Sequence, residues 1–249
     1  MSFDRGAESA AAPRVAIVAA LGVERASLAR QLQSGTAHWS ILQSGPGPER
    51  AALAAAQALE QGAAALVSWG LVGALDAALV PGTVVVPRRV LRKGAAPLGV
   101  DAAWHARLTA LSATFATSFG DVLTVSAALG SPQAKAAAAA ASGAVAVDME
   151  SAAIAAVAAA ARVPFVALRV VVDGLGDALP GDAEAWIDER GNRRLGAALR
   201  AVVKPAEWRA LLTLAQRYRT ATSVLERLAR IAASQGLLDA SAARSSGGS

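Results

Sequence analysis

Val147-Asp-Met-Glu-Ser-Ala-Ala-Ile154 runs into an alanine-rich stretch ending at Arg162, and Val163-Pro-Phe-Val-Ala-Leu-Arg-Val-Val-Val-Asp173 follows directly. A short apolar run, ten residues of small side chains and a second apolar run read as strand, helix and strand. Pro164 marks the join, because the residue before a proline is pushed out of the helical region. Ligands of open α/β sheets bind beyond the carboxyl ends of the strands. The first strand would deliver Met149 and Glu150 there and the second Asp173, so two carboxylates 23 residues apart on neighbouring strands would face one pocket. Carboxylates in such an apolar setting bind protons more tightly than in water, as an acid catalyst requires.

Outward from this unit the same alternation continues. Strands are expected at 14–20, 39–45, 64–69, 82–90, 119–126, 144–148 and 165–172. Helices are expected at 24–34, 48–62, 101–115, 131–142, 150–162, 183–203 and 206–233. Gly45-Pro-Gly-Pro48 is a turn that feeds a helix near Glu49, with proline and acid where a helix start favours them. The fold class is α/β: one three-layer α/β/α sandwich with a mixed, mostly parallel central sheet. Residues 1–13 read as a flexible leader, 14–203 as the domain, 204–233 as a helical extension and 234–249 as a disordered tail.

Of 249 residues, 66 are alanine, and aromatics make up only 4%. The core must therefore be closely packed helices and small-residue layers. The six-alanine run Ala136–Ala141 is expected to pack on the sheet. Mean hydropathy is +0.40, yet the longest apolar stretch, Gly62 to Leu75, is about 14 residues, short of the roughly 20 a membrane span needs. No basic segment leads into an apolar run at the N-terminus, so a cytoplasmic location is expected. The absence of cysteine excludes disulfides, thiolate metal sites and cysteine nucleophiles. The two histidines, His38 and His105, have no carboxylate at ligand spacing, so no metal site is expected and the chemistry rests on carboxylates.

The net charge of +5 sits in the C-terminal region: ten Lys/Arg face only Glu207 and Glu226 between Arg190 and Arg230. Trp208, Leu211, Leu212, Ala215, Tyr218, Thr222, Leu225, Leu228 and Ala232 recur at helical spacing with the arginines mostly elsewhere on the wheel. Residues 206–233 thus form a basic amphipathic helix, packed on the domain or lying on the inner face of an anionic membrane. Basic residues are not interleaved with aromatics as in a nucleic-acid module, so no nucleic-acid partner is expected.

The V-D-M-E-S-A-A segment and the aspartate after V-P-F resemble the nucleoside phosphorylase/nucleosidase superfamily. Val15-Ala-Ile-Val-Ala-Ala-Leu-Gly-Val-Glu24 is similar to that family's opening strand and loop. Val67-Ser-Trp-Gly-Leu-Val-Gly-Ala-Leu-Asp76 with Pro81-Gly-Thr-Val-Val-Val-Pro87 is similar to its glycine-rich strand-loop and following strand. The likeness covers about residues 14 to 200. It implies that Asp173 donates a proton to purine N7, Glu24 orients or deprotonates the attacking water, Glu150 binds the ribose hydroxyls, and Met149 packs against the sugar. Gly70 and Leu71 would line the substrate site. No cofactor is implied beyond water or inorganic phosphate as co-substrate, and a homodimer or higher homo-oligomer is.

The departures carry information too. The G-D-P-x-R phosphate loop of hexameric phosphorolytic members is absent from Leu21-Gly-Val-Glu-Arg25, which favours hydrolysis. Arg25, Arg88 or Arg89 could hold an anion, though nothing in their spacing shows it. Leu71 stands where nucleosidases often have serine, and Val172 replaces the serine that commonly precedes the catalytic aspartate, so Asp173 must be oriented by another group. The extension at 204–233 resembles the tail of hopanoid-associated phosphorylases, which implies a lipid nucleoside, adenosylhopane, as substrate. The alternatives are a methylthioadenosine/S-adenosylhomocysteine nucleosidase, a purine nucleoside phosphorylase, or a nucleoside-binding protein that keeps the fold without turnover.

Overall fold

A computed structural model describes residues 14–32, 39–178, 190–191 and 208–239. The expected leader, the helix at 183–203, His38, residues 240–249 of the tail and the side chains of Trp208, Leu211 and Leu212 lie outside what is described.

The strands are β1 (Val15–Ala19), β2 (Trp39–Gln43), β3 (Ala65–Ala74), β4 (Val84–Val85), β5 (Arg89–Arg92), β6 (Leu98–Gly99), β7 (Thr117–Ser118), β8 (Val122–Thr124), β9 (Ala146–Asp148) and β10 (Phe165–Asp173). The helices are α1 (Gly22–Leu32), α2 (Pro48–Glu60), α3 (Ala102–Leu108), α4 (Pro132–Ser142), α5 (Ser151–Ala161) and α6 (Trp208–Ser234). The single strand expected at 82–90 is two, β4 and β5, broken around Pro87, which has no N–H to give to a ladder. The helix expected at 101–115 is α3 followed by a 3₁₀ turn, Thr109–Ala113.

The ten strands among the described residues form one mixed sheet, and β3 is its hub. It pairs in parallel with β1 on one side and β10 on the other, and its last residues pair antiparallel with β9. The expectation that the Glu150 and Asp173 strands are neighbours is therefore corrected. β3 runs between them, and β9 travels backward along it.

Side chains alternate across β1: Val15, Ile17 and Ala19 face one helical layer, Ala16 and Val18 the other. The first layer holds Leu28 of α1, Trp104 and Leu108 of α3, and Leu225 and Leu228 of α6. The second is built from Ala51, Ala54, Ala55 and Ala58 of α2 and Ala152, Ala155 and Ala158 of α5. Small residues on both helices let them approach the sheet and each other closely, as the alanine content requires. Helix α4 meets the expectation for its six alanines only in part. Ala138 and Ala139 pack against the Leu75, Leu123 and Val147 cluster, Ala136, Ala137, Ala140 and Ala141 are exposed, and the one buried residue of the helix is Lys135.

Helix α6 packs on α1 and β10, burying Ala221, Leu225, Leu228, Ala229 and Ala232. That face is thus in the core, which is the first of the two placements expected for the extension, packing on the domain. The outward face carries Arg219, Arg227 and Arg230. Among the described residues no helix is long and apolar enough to cross a membrane.

Candidate active site

Glu24 lies in the first turn of α1 and is 2% exposed. Its Oε2 accepts hydrogen bonds from the backbone N–H groups of Ala20 (2.9 Å) and Leu21 (2.8 Å), which a helix start otherwise leaves unpaired. Its Oε1 accepts from the backbone N–H of Leu71 at 2.7 Å. Leu71 thus reaches the site through its backbone, as a support for Glu24. Burial pushes the Glu24 carboxyl above its ordinary range, against the lowering effect of Arg169 and the three N–H donors.

Position 70, inside β3, requires glycine. A Cβ there would collide with Glu24 Oε1 and come within 2.6 Å of Arg169 Nη1. The carboxylate and the guanidinium therefore converge on one point above the strand. Arg169, in β10, was not singled out by sequence, although a lone arginine within Phe165–Asp173 is a visible anomaly in a buried strand. It is 1% exposed; Nη2 donates to Ser68 Oγ (2.5 Å) and Ser151 Oγ (3.0 Å) and lies 2.8 Å from Asp148 Oδ2 in an ion pair. Among the described residues Nη1 has no hydrogen-bond partner.

Glu150 sits on the other side of this guanidinium, with Oε2 3.8 Å from Nη2 and Oε1 accepting from the backbone N–H of Gly47 at 3.0 Å. Burial raises its carboxyl to about 7, and the neighbouring Asp148 and Glu24 carboxylates add to the rise while Arg169 opposes it. Glu150 reaches this end because β9 is antiparallel to β3: Val147 lies opposite Gly73, and the chain then runs back toward Gly70. Met149, half-buried, lies between the strand end and Glu150.

Asp173 heads a second cluster. The pairing of β10 with β3 slips between Val171 and Asp173, a bulge that re-aims the carboxylate toward Gly73. A Cβ on Gly73 would lie 3.3 Å from Asp173 Oδ2. Gly70 and Gly73 thus mark two ends of the site, roughly 10 Å apart at strand rise. Asp173 Oδ2 accepts from the buried Lys135 ammonium, which also donates to the carbonyls of Gly174 (2.8 Å) and Asp177 (3.1 Å). Burial raises the Asp173 carboxyl, chiefly against the pull of Lys135. Lys135 thus holds one oxygen of Asp173, whose chain neighbour Val172 has no hydroxyl to do so. An open groove of about 530 Å³ adjoins Gly174 and Asp177, walled by Leu79, Val80, Pro81 and Ala136.

Residues 14–204 match the family model described as the phosphorylase superfamily. The chain belongs to that superfamily. Among solved structures of the fold, the methylthioadenosine/S-adenosylhomocysteine nucleosidase of Neisseria meningitidis in complex with methylthio-immucillin-A superposes with a TM-score of 0.68 at 18% identity, over 89% of this chain and 99% of that one. The futalosine hydrolase of Helicobacter pylori gives 0.65 at 14% identity, over 91% and 97%. The S-adenosylhomocysteine nucleosidase of Streptococcus pyogenes with 5-methylthiotubericidin gives 0.64 at 19%, over 88% and 99%. No curated protein matches in sequence. At these identities the solved structures show the phosphorylase-superfamily fold. Among the described residues no cluster of His, Asp and Glu could hold a metal ion; His105 is a core residue, its Nε2 3.1 Å from the Val86 carbonyl.

Proposed function

We propose that the protein hydrolyses the N-glycosidic bond of an adenosyl compound and releases adenine. The observation that carries this is the partnerless Nη1 of Arg169, which with Glu24 Oε1 closes on the space over Gly70. No ion pair joins the two groups, and a gap of that kind between buried polar atoms suits one bridging water. Glu24, with its raised proton affinity, takes the proton of that water as it attacks the sugar carbon. Glu150 accepts hydrogen bonds from the ribose hydroxyls beside it, and Met149 packs on the sugar. Asp173, at the other end, protonates purine N7, so the electron pair of the breaking bond leaves on a neutral base.

Phosphorolysis fits less well, because a phosphate over Gly70 would stand against both Glu24 and Glu150. Adenosylhopane, leaving a ribosyl hopanoid, is the substrate we favour, on the likeness of the extension and the apolar groove beside Gly174. Contact with an anionic membrane would then be electrostatic, through the outward arginines of α6. Supplying adenosylhopane, methylthioadenosine and S-adenosylhomocysteine with and without phosphate, and following free adenine, tests the reading. Adenine release independent of phosphate and fastest with the lipid nucleoside is expected. Release that requires phosphate refutes hydrolysis, and turnover confined to the thioethers refutes the lipid substrate.

A further inference from the structure

Lys135 is the least expected feature of the fold. It is the sole charge in α4, whose remaining residues are proline, glutamine, serine and alanine, and it is 1% exposed while Ala136 and Ala137 beside it are exposed. Burying an ammonium costs several kcal/mol unless every proton finds an acceptor. Here all three do: Asp173 Oδ2, the Gly174 carbonyl and the Asp177 carbonyl. An apolar side chain would anchor the helix at no such cost, so packing alone does not account for a cation. The choice of cation is also specific. Of the 24 basic residues 21 are arginine and three are lysine, yet the one facing Asp173 is a lysine, whose compact head suits three converging oxygens as a planar guanidinium would not.

The surrounding charges leave Lys135 free for this task. Asp177 Oδ2 accepts from the Gly174 backbone N–H (2.7 Å) and from Arg217 Nη1 on α6 (2.7 Å). Its carboxylate is thereby occupied, and only its carbonyl turns to the lysine. Among the described residues Asp173 Oδ1 carries no hydrogen bond, so one carboxyl oxygen is fixed by the lysine and the other is open to a ligand.

We propose that Lys135 is the positioning residue of the acid, holding Asp173 Oδ2 so that Oδ1 meets the purine and stabilising the carboxylate that forms when the proton leaves. This rests on the reading of Asp173 as the acid. In the step, the bond from the sugar carbon to the base breaks with its electron pair on the purine, and the Asp173 proton passes to N7. The carboxylate left behind is neutralised by an ammonium that keeps all its protons. Without Lys135 the acid is weaker, because Asp177 and burial raise its proton affinity and Arg217 alone opposes them.

The test compares the parent with Lys135→Met and Lys135→Gln on whichever adenosyl substrate it turns over. The basic limb of kcat against pH should move to higher pH in both variants, and kcat should fall roughly tenfold or more with a smaller change in KM. Because the chain has no cysteine, Lys135→Cys can be aminoethylated to restore an ammonium at this position alone, and the limb should return toward that of the parent. A variant that folds and keeps the parent limb and kcat overturns the proposal, as does a loss carried wholly by KM. Carbon-13 titration of the Asp173 carboxyl gives the same answer without substrate: it should move up in Lys135→Met. If Asp173→Asn keeps full activity, the acid reading fails; if Asp173→Asn is inactive and the titration does not move, only the role of Lys135 fails.

Discussion

Replacing Glu150 with glutamine separates the cost of its charge from the rest of the site. Gln keeps an oxygen to accept from the Gly47 N–H and never ionises. In the parent, the carboxyl moves from 4.5 to about 7 on folding, chiefly through burial. Between those values the folded chain binds more protons than the unfolded one, so this group's contribution to stability is complete at low pH and is lost as pH rises toward about 7. The loss amounts to about 3 kcal/mol, or about 6 to 12 °C in Tm for a chain of this size. The Glu150→Gln variant lacks it. Urea or thermal unfolding of both proteins from pH 4 to 8.5 should give a stability difference that grows in favour of the variant and levels off above about pH 7. The Glu24 carboxylate adds to the rise at Glu150, so the difference reports the two groups together. A difference flat across this range would refute the account of the cluster. Activity should run the other way: an ionised Glu150 is needed to accept ribose hydroxyls, so kcat/KM should fall below about pH 7 in the parent and be low at every pH in the variant.

Gly70→Ala should cut kcat on the order of a hundredfold, since the new methyl would push Glu24 and Arg169 away from the space proposed for the attacking water; parent-like kcat would show that the convergence over Gly70 is not used. Leu228→Ala should cost about 2 to 5 kcal/mol in urea unfolding because Leu228 is fully buried between α6 and the sheet; a surface-like effect would place the helix elsewhere. Sedimentation with anionic vesicles should decline steeply with salt if only the arginine face of α6 makes contact; salt-resistant binding would mean that an apolar face inserts.

The fold was legible because its signals are local. Apolar runs, Pro164 and the Gly45–Pro48 turn mark elements where the chain itself changes period, and the structure has them within a few residues. The order of strands was less so. Sequential strands neighbour one another about two times in three, and the strands bearing Glu150 and Asp173 are in the other third, divided by β3. Of the site, the three carboxylates, Gly70 and Leu71 were visible through their resemblance to a family. Lys135 and Arg169 were hidden by the composition around them, the first by an alanine run and the second by valines. The common signal was available: Lys135 is the single charge of its helix and Arg169 the single cation of its strand, and a cation set among alanines or valines has to find its partner in another part of the fold.

That division by β3 gives the two ends different chemistry. At the Gly70 end three buried carboxylates, Glu24, Asp148 and Glu150, share one guanidinium, and Asp148 already has its Nη2. Glu24 and Glu150 are left short of positive charge and hold protons tightly, which is what a base at neutral pH must do. At the Gly73 end Asp173 and Asp177 face Lys135 and Arg217, so each carboxylate has its own cation. Asp173 is raised by burial too, but the anion it becomes on giving up a proton is already compensated. Two carboxyl groups in one site take opposite roles when their environments stabilise opposite charge states. By that criterion the surroundings support the proposed roles, Glu24 as base and Asp173 as acid, and exchanging the surroundings of the two ends, by removing Lys135 and adding a cation near Glu24, should impair both halves of the reaction together.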